Sequence, residues 1–117
     1  MRDGLYHAEV GLPEQYRHPR FSVNVEYSNH AKREAASDRY GSIALDPFVD
    51  LSFFHTVEVE ILNGAVRKIV VREARDVEMQ RVLVLMPRAG ARWFCKTVWV
   101  NLKSDSHKTL DHSRYVR

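Results

Sequence analysis

The side chains best equipped for chemistry crowd the last quarter of the 117-residue chain, where Lys96, His107, Lys108, Arg114 and Tyr115 follow one another within twenty residues. Metal-free cleavage of RNA needs a base for the 2′-hydroxyl proton, an acid for the leaving oxygen and fixed cations for the charge that builds on phosphorus. In this set His107 could be acid or base, Lys108 and Arg114 could hold the phosphate, and Lys96 could act as a site lysine. Trp99 or Tyr115 could stack a base, joined by His30 and Arg33 from an earlier helix. Asp105, His107, Asp111 and His112 make the one plausible metal cluster, but their spacing matches no familiar ligand set. A hydrogen-bonded tail is therefore expected there, with no metal and no cofactor. Walker loops, G-x-G-x-x-G, G-x-S-x-G, H-E-x-x-H and paired C-x-x-C motifs are all absent, which disfavours nucleotide hydrolysis, serine hydrolase chemistry and structural zinc.

These groups need a rigid support, and the apolar run Trp93 to Val100 offers a strand that leads directly into them. Strict alternation would put Trp93, Cys95, Thr97, Trp99 and Asn101 on one face and Phe94, Lys96, Val98, Val100 and Leu102 on the other. Lys96 would then sit among apolar neighbours, where a lysine is costly unless its amine reaches water or an anion. Cys95, the single cysteine, is expected to be a small buried hydrophobe.

Residues 1–20 read as an irregular arm, and residues 21–117 as a single α+β domain. Phe21 to Tyr27 alternates as a first strand. Ser28 or Asn29 caps a helix over His30 to Tyr40 that ends at Gly41, with Ala31, Ala35 and Ala36 packed and Lys32, Arg33, Glu34, Asp38 and Arg39 mostly facing water. Asp46-Pro47 predicts a short second helix that buries Phe48, Leu51 and Phe54. His55 to Leu62 alternates, with Val57, Val59 and Ile61 on one face. Asn63-Gly64 is a tight hairpin turn, Val66 to Arg72 returns opposite the glutamates, and Val82 to Met86 is an interior strand buried on both faces. The expected fold is a five-stranded antiparallel sheet, β-α-α-β-β-β-β, with helices on one face and a polar C-terminal tail.

Charge is uneven along the chain. Up to Asn63 there are 6 Lys and Arg against 10 Asp and Glu, a balance of −4, and from Gly64 onward 12 against 5, a balance of +7. A positive half favours RNA or another polyanion as partner. No apolar run approaches the roughly 20 residues of a membrane span, so a cytoplasmic protein with no membrane partner is expected.

The order of elements, with an early helix opening Ser28-Asn29-His30-Ala31 and carrying Arg33, resembles the RelE/ParE-like small toxin superfamily over about residues 21 to 102. The segment Lys96-Thr-Val-Trp-Val-Asn, followed by Asp105, His107-Lys-Thr-Leu-Asp111 and Ser113-Arg-Tyr115, is similar to proteins of tailed bacteriophages. The resemblance implies a sheet whose concave face and tail contact RNA in the host cytoplasm, with Lys, Arg, His or Tyr in place of metal. The expected function is a small phage-type protein acting on RNA, as a metal-independent endoribonuclease if the tail supplies acid and base. The alternative is a non-enzymatic phage protein that binds and redirects a host protein, with a structural virion component as a third option.

Overall fold

The structure, a computed structural model, describes residues 2–75, 77–90, 92–105 and 112–116. Seven strands form one mixed sheet in the order β1-β4-β5-β6-β7-β2-β3. They are β1 (Gly4–His7), β2 (Ser22–Tyr27), β3 (Phe48–Asp50), β4 (Phe54–Leu62), β5 (Ala65–Glu73), β6 (Met79–Pro87) and β7 (Arg92–Leu102), with helices α1 (Glu14–Arg17) and α2 (Asn29–Ala36). The α+β class and the five expected strands are present. The sheet gains two strands, and it is mixed because β2 runs parallel to β7, Val25 beside Trp93 and Tyr27 beside Cys95.

The meander β4-β5-β6-β7 is built from period-two segments that pair antiparallel with their chain neighbours. Its first turn is Asn63-Gly64, with φ of 53° and 74°, a pair of left-handed residues whose twist matches the strands they join. Asp3 secures it by accepting the N–H groups of Asn63 and Gly64 at 2.8 and 2.9 Å. Gly64→Ala forces a Cβ into left-handed backbone and should cost about 1 kcal/mol. Urea unfolding checks this, and an unchanged midpoint would refute it.

β6 fulfils the interior expectation: Leu83 and Leu85 enter the main core while Val82 and Val84 join Val70 on the opposite face. The main core also takes Ala31 and Ala35 of α2 with Val23, Val25, Val49, Leu51, Phe54, Val59 and Ile69.

Three expectations are corrected. The arm is part of the sheet, because β1 pairs with β4 and Tyr6, Leu12 and Tyr16 pack on the core. The helix foreseen at Asp46-Pro47 is instead β3, paired with β2, followed by a 3₁₀ turn over Leu51–Phe53 capped by Asp50. Pairing buries Val49 and leaves Phe48 60% exposed, while the Asp46 carboxylate meets Arg81 at 3.0 Å instead of capping. Finally, α2 stops at Ala36 rather than Tyr40. The Ser37 hydroxyl donates to the Arg33 carbonyl and the Asp38 carboxylate accepts from the Tyr40 N–H, side-chain bonds that compete with continued helix, and Ala36 is left exposed.

At the end of β5, Glu73 is 4% exposed. Arg81 donates to it through Nε at 2.8 Å and its backbone N–H at 2.9 Å, and Arg75 through Nη2 at 3.0 Å. Arg81 continues to Asp46, and the network borders a cavity of about 410 Å³ rimmed by Tyr40, Val77 and Met79.

Candidate nucleic-acid interface

Lys96 owes its position to an irregularity in β7. Thr97 lies opposite Val84 and Cys95 opposite Leu85, so Lys96 is an extra residue with no partner on β6. This β-bulge resets the alternation. Trp93 and Cys95 pack into the main core before it and Val98 and Val100 after it, while Trp99 packs with Val57 and Val82 on the opposite face. The expected facial assignment is therefore reversed beyond Lys96, and Lys96 is exposed rather than set among apolar side chains.

The bulge is tied to the start of α2. The Ser28 hydroxyl donates to the Lys96 carbonyl at 2.7 Å and accepts the Ala31 N–H at 2.9 Å, so one side chain caps the helix and fixes the bulge. Beyond the bulge β7 has no β2 residue beside it, and α2 covers this edge with carboxylates. Glu34 accepts from the Thr97 hydroxyl and, at 3.4 Å, from the Val98 N–H, while Asp38 accepts from the Val100 N–H at 3.4 Å. His30 Nε2 lies 3.2 Å from the same Glu34 carboxylate. A groove of about 360 Å³ runs along this seam, lined by Glu34, Asp38, Arg39, Val98 and Trp99 among others.

Arg92 and Phe94 alternate with the core-facing Trp93 and Cys95, so they face outward. The Arg88 guanidinium lies 4.7 Å from the centre of the Phe94 ring, a cation–π contact. Arg88, Arg92 and Lys96 are exposed, and none has a carboxylate within ion-pair distance among the described residues. Glu26, beside Phe94 on β2, forms no ion pair with them.

Elsewhere the positive half is neutralised by pairing with the acidic one. Arg67 lies 3.6 Å from Glu60 and Lys68 3.3 Å from Glu58, diagonal contacts across a hairpin in which Lys68 stands opposite Glu60. Arg72 is buried and donates to Gln80 and to the Leu102 carbonyl. Among the described residues of the positive half, Arg88, Arg92 and Lys96 at the β6–β7 end remain outside such ion pairs.

The sequence-predicted site is divided. His30, Arg33, Lys96 and Trp99 gather at the α2–β7 seam, with Arg33 exposed on the helix. Arg114 and Tyr115 lie at the other edge, where Tyr115 bridges to Leu5 of β1. β7 and β1 are four strand positions apart, roughly 19 Å at about 4.8 Å per strand. Tyr115 is 7% exposed, its ring 4.9 Å from His7 and its hydroxyl 3.2 Å from a Glu58 oxygen, so it offers no face to a base. The Arg114 guanidinium stands over the Tyr115 ring at 5.4 Å. His107, Lys108 and Asp111 lie outside the described residues. Among the described residues no group of three His, Cys, Asp or Glu side chains could hold a metal.

Arg88, Arg92 and Phe94 escaped the sequence reading, although alternation alone faces Arg92 and Phe94 outward from the core strand. Cys95 is fully buried, burial pushes its thiol up to about 12, and its Sγ contacts the Thr97 carbonyl. Thiol reagents at mildly alkaline pH should therefore modify Cys95 at the rate of unfolding, and equal rates in native and urea-denatured protein would overturn that expectation.

Comparison of the chain with protein-family models, curated proteins and solved structures returns no match.

Proposed function

We propose that this protein binds single-stranded RNA along the outer face of β7. The observation that carries the proposal is the set Arg88, Arg92 and Lys96, exposed without carboxylate partners around the half-buried Phe94 ring. Cations that track a phosphate backbone beside an aromatic face suit a single strand, whose unpaired bases can stack. Trp99 lies farther along the same face of β7, while His30 and Arg33 stand on α2, on the other side of the Glu34 and Asp38 carboxylates. Cleavage by Lys96 and Arg114 together is not favoured, since Lys96 lies on β7 and Arg114 beside the β1 edge, four strand positions away. A cytoplasmic site of action, in the host if the chain is phage-encoded, belongs to this proposal.

The test is titration of a labelled single-stranded RNA at several salt concentrations. Saturable binding whose affinity falls steeply with salt supports the proposal, because neutralised phosphates release counterions. Absence of binding, or binding indifferent to salt, transfers the case to the protein-binding alternative, which the exposed Phe48 and Phe53, at 60% and 51%, would serve.

A further inference from the structure

A second cavity lies on a different part of the molecule, at the junction of the α1–β2 loop, the 3₁₀ turn and the start of β4. It encloses about 220 Å³ and is lined by His18, Pro19, Arg20, Ser52, Phe54, His55 and Ala74. We propose that it is a binding site for a phosphate group, independent of the RNA surface on β7.

Three observations lead there. The first is the donor set: two imidazoles and a guanidinium line the cavity with no carboxylate among the lining residues, the Ser52 hydroxyl proton being held by Asp50. His18, Arg20 and His55 are exposed and enter no side-chain hydrogen bond or ion pair among the described residues, so their donors are available. The second is that the neighbouring carboxylates are already engaged. Asp50 accepts from the Ser52 N–H and hydroxyl at 2.9 and 2.6 Å, and Glu73 is held by Arg81 and Arg75. The third is that the walls are fixed. Pro19 is buried, Leu51 N–H donates to the Phe21 carbonyl at 3.0 Å and Ala74 N–H to the Phe53 carbonyl at 2.8 Å, and Phe54 is buried behind them.

Size and shape select the ligand. At about 30 Å³ per liquid water the cavity has room for roughly seven waters, which suits one tetrahedral oxyanion with part of its hydration but not a purine. Cationic donors from separate chain segments, the α1–β2 loop and the start of β4, suit a tetrahedral anion better than a planar carboxylate. The source is either free phosphate or the phosphate of a nucleotide.

Imidazole resonances followed by NMR during titration with inorganic phosphate, at fixed pH and chloride-balanced ionic strength, test the proposal. His18 and His55 should shift saturably while His7 and His30 stay in place. Arg20→Ala, at an exposed position, should weaken the response at least roughly tenfold, and His55→Asn should weaken it as well. A nucleoside monophosphate that saturates the same two resonances at lower concentration identifies a nucleotide as the source, and equal affinities identify free phosphate. Unsaturable shifts of all the histidines alike, no shift at His18 and His55, or undiminished binding in Arg20→Ala would each overturn it.

Discussion

Glu73→Leu should destabilise the protein by roughly 3 kcal/mol, the cost of stranding a largely buried cation whose partner has been removed. Arg81, with a side chain 16% exposed, would keep Asp46 but lose its closest acceptor. Since domains of this size are stable by only about 5 to 15 kcal/mol, urea unfolding should register the loss easily. Adding Arg81→Met should restore much of it, because an apolar pair of similar volume replaces the ion pair. A single variant within about 1 kcal/mol of the wild type would show the network to be dispensable. The pH dependence has a definite sign. Burial opposes ionisation of Glu73, but hydrogen bonds from Arg81 and Arg75 outweigh it and hold the carboxyl below its ordinary value. Its contribution is thus fully present above the unfolded carboxyl's pKa of about 4.3, and is lost as pH falls through the lower folded value. The acid limb of the stability curve should be shallower in Glu73→Leu.

Charge reversal of Arg88, Arg92 and Lys96 together should lower affinity for single-stranded RNA by roughly 100-fold or more at moderate salt. Each cation that meets a phosphate adds about 0.7 to the slope of log affinity against log salt, so the triple variant should lose about two units of slope. Reversal of Arg2 and Arg17, remote from this face, should change little. Phe94→Ala separates stacking from charge, since it should lower affinity without altering the slope. Equal losses from the two sets of charge reversals would mean that the protein attracts RNA by net charge alone.

Local signals served the sequence reading well. Asn63-Gly64 can adopt the turn it predicts whatever surrounds it, and the run at Val82 is apolar enough to belong only in an interior strand. Signals that depend on partners served less well. Asp46-Pro47 carries sound helix-starting chemistry, yet pairing of Val49 with Val23 and the claim of Arg81 on Asp46 override it. Alternation fails wherever one residue is added. Val57 leaves the face of Val59 and Ile61 at a bulge in β4, and Lys96 turns its successors over in β7. Nothing in the residue types marks either site. Counting charge by halves also misleads, because the β4–β5 hairpin sets glutamates of the acidic half against cations of the basic half. The exposed cluster on β7 becomes visible only once those pairs are subtracted.

The parallel placement of β2 beside β7 bears on how the protein is made. At about 5 to 20 residues per second, a ribosome that has finished Val25 needs roughly 3 to 14 s more to supply its neighbour Trp93. During that interval β2 can pair with β3, but its inner edge and apolar face have nothing to close them. The outer edge of β1 waits longer still, since Leu5 is bridged by Tyr115 and Val116 donates its N–H to the Leu5 carbonyl. The segment that carries Tyr115 and Val116 thus seals β1, and the sheet can be completed only once those residues have been made. Unpaired edges of that kind are where a newly made chain is most open to aggregation.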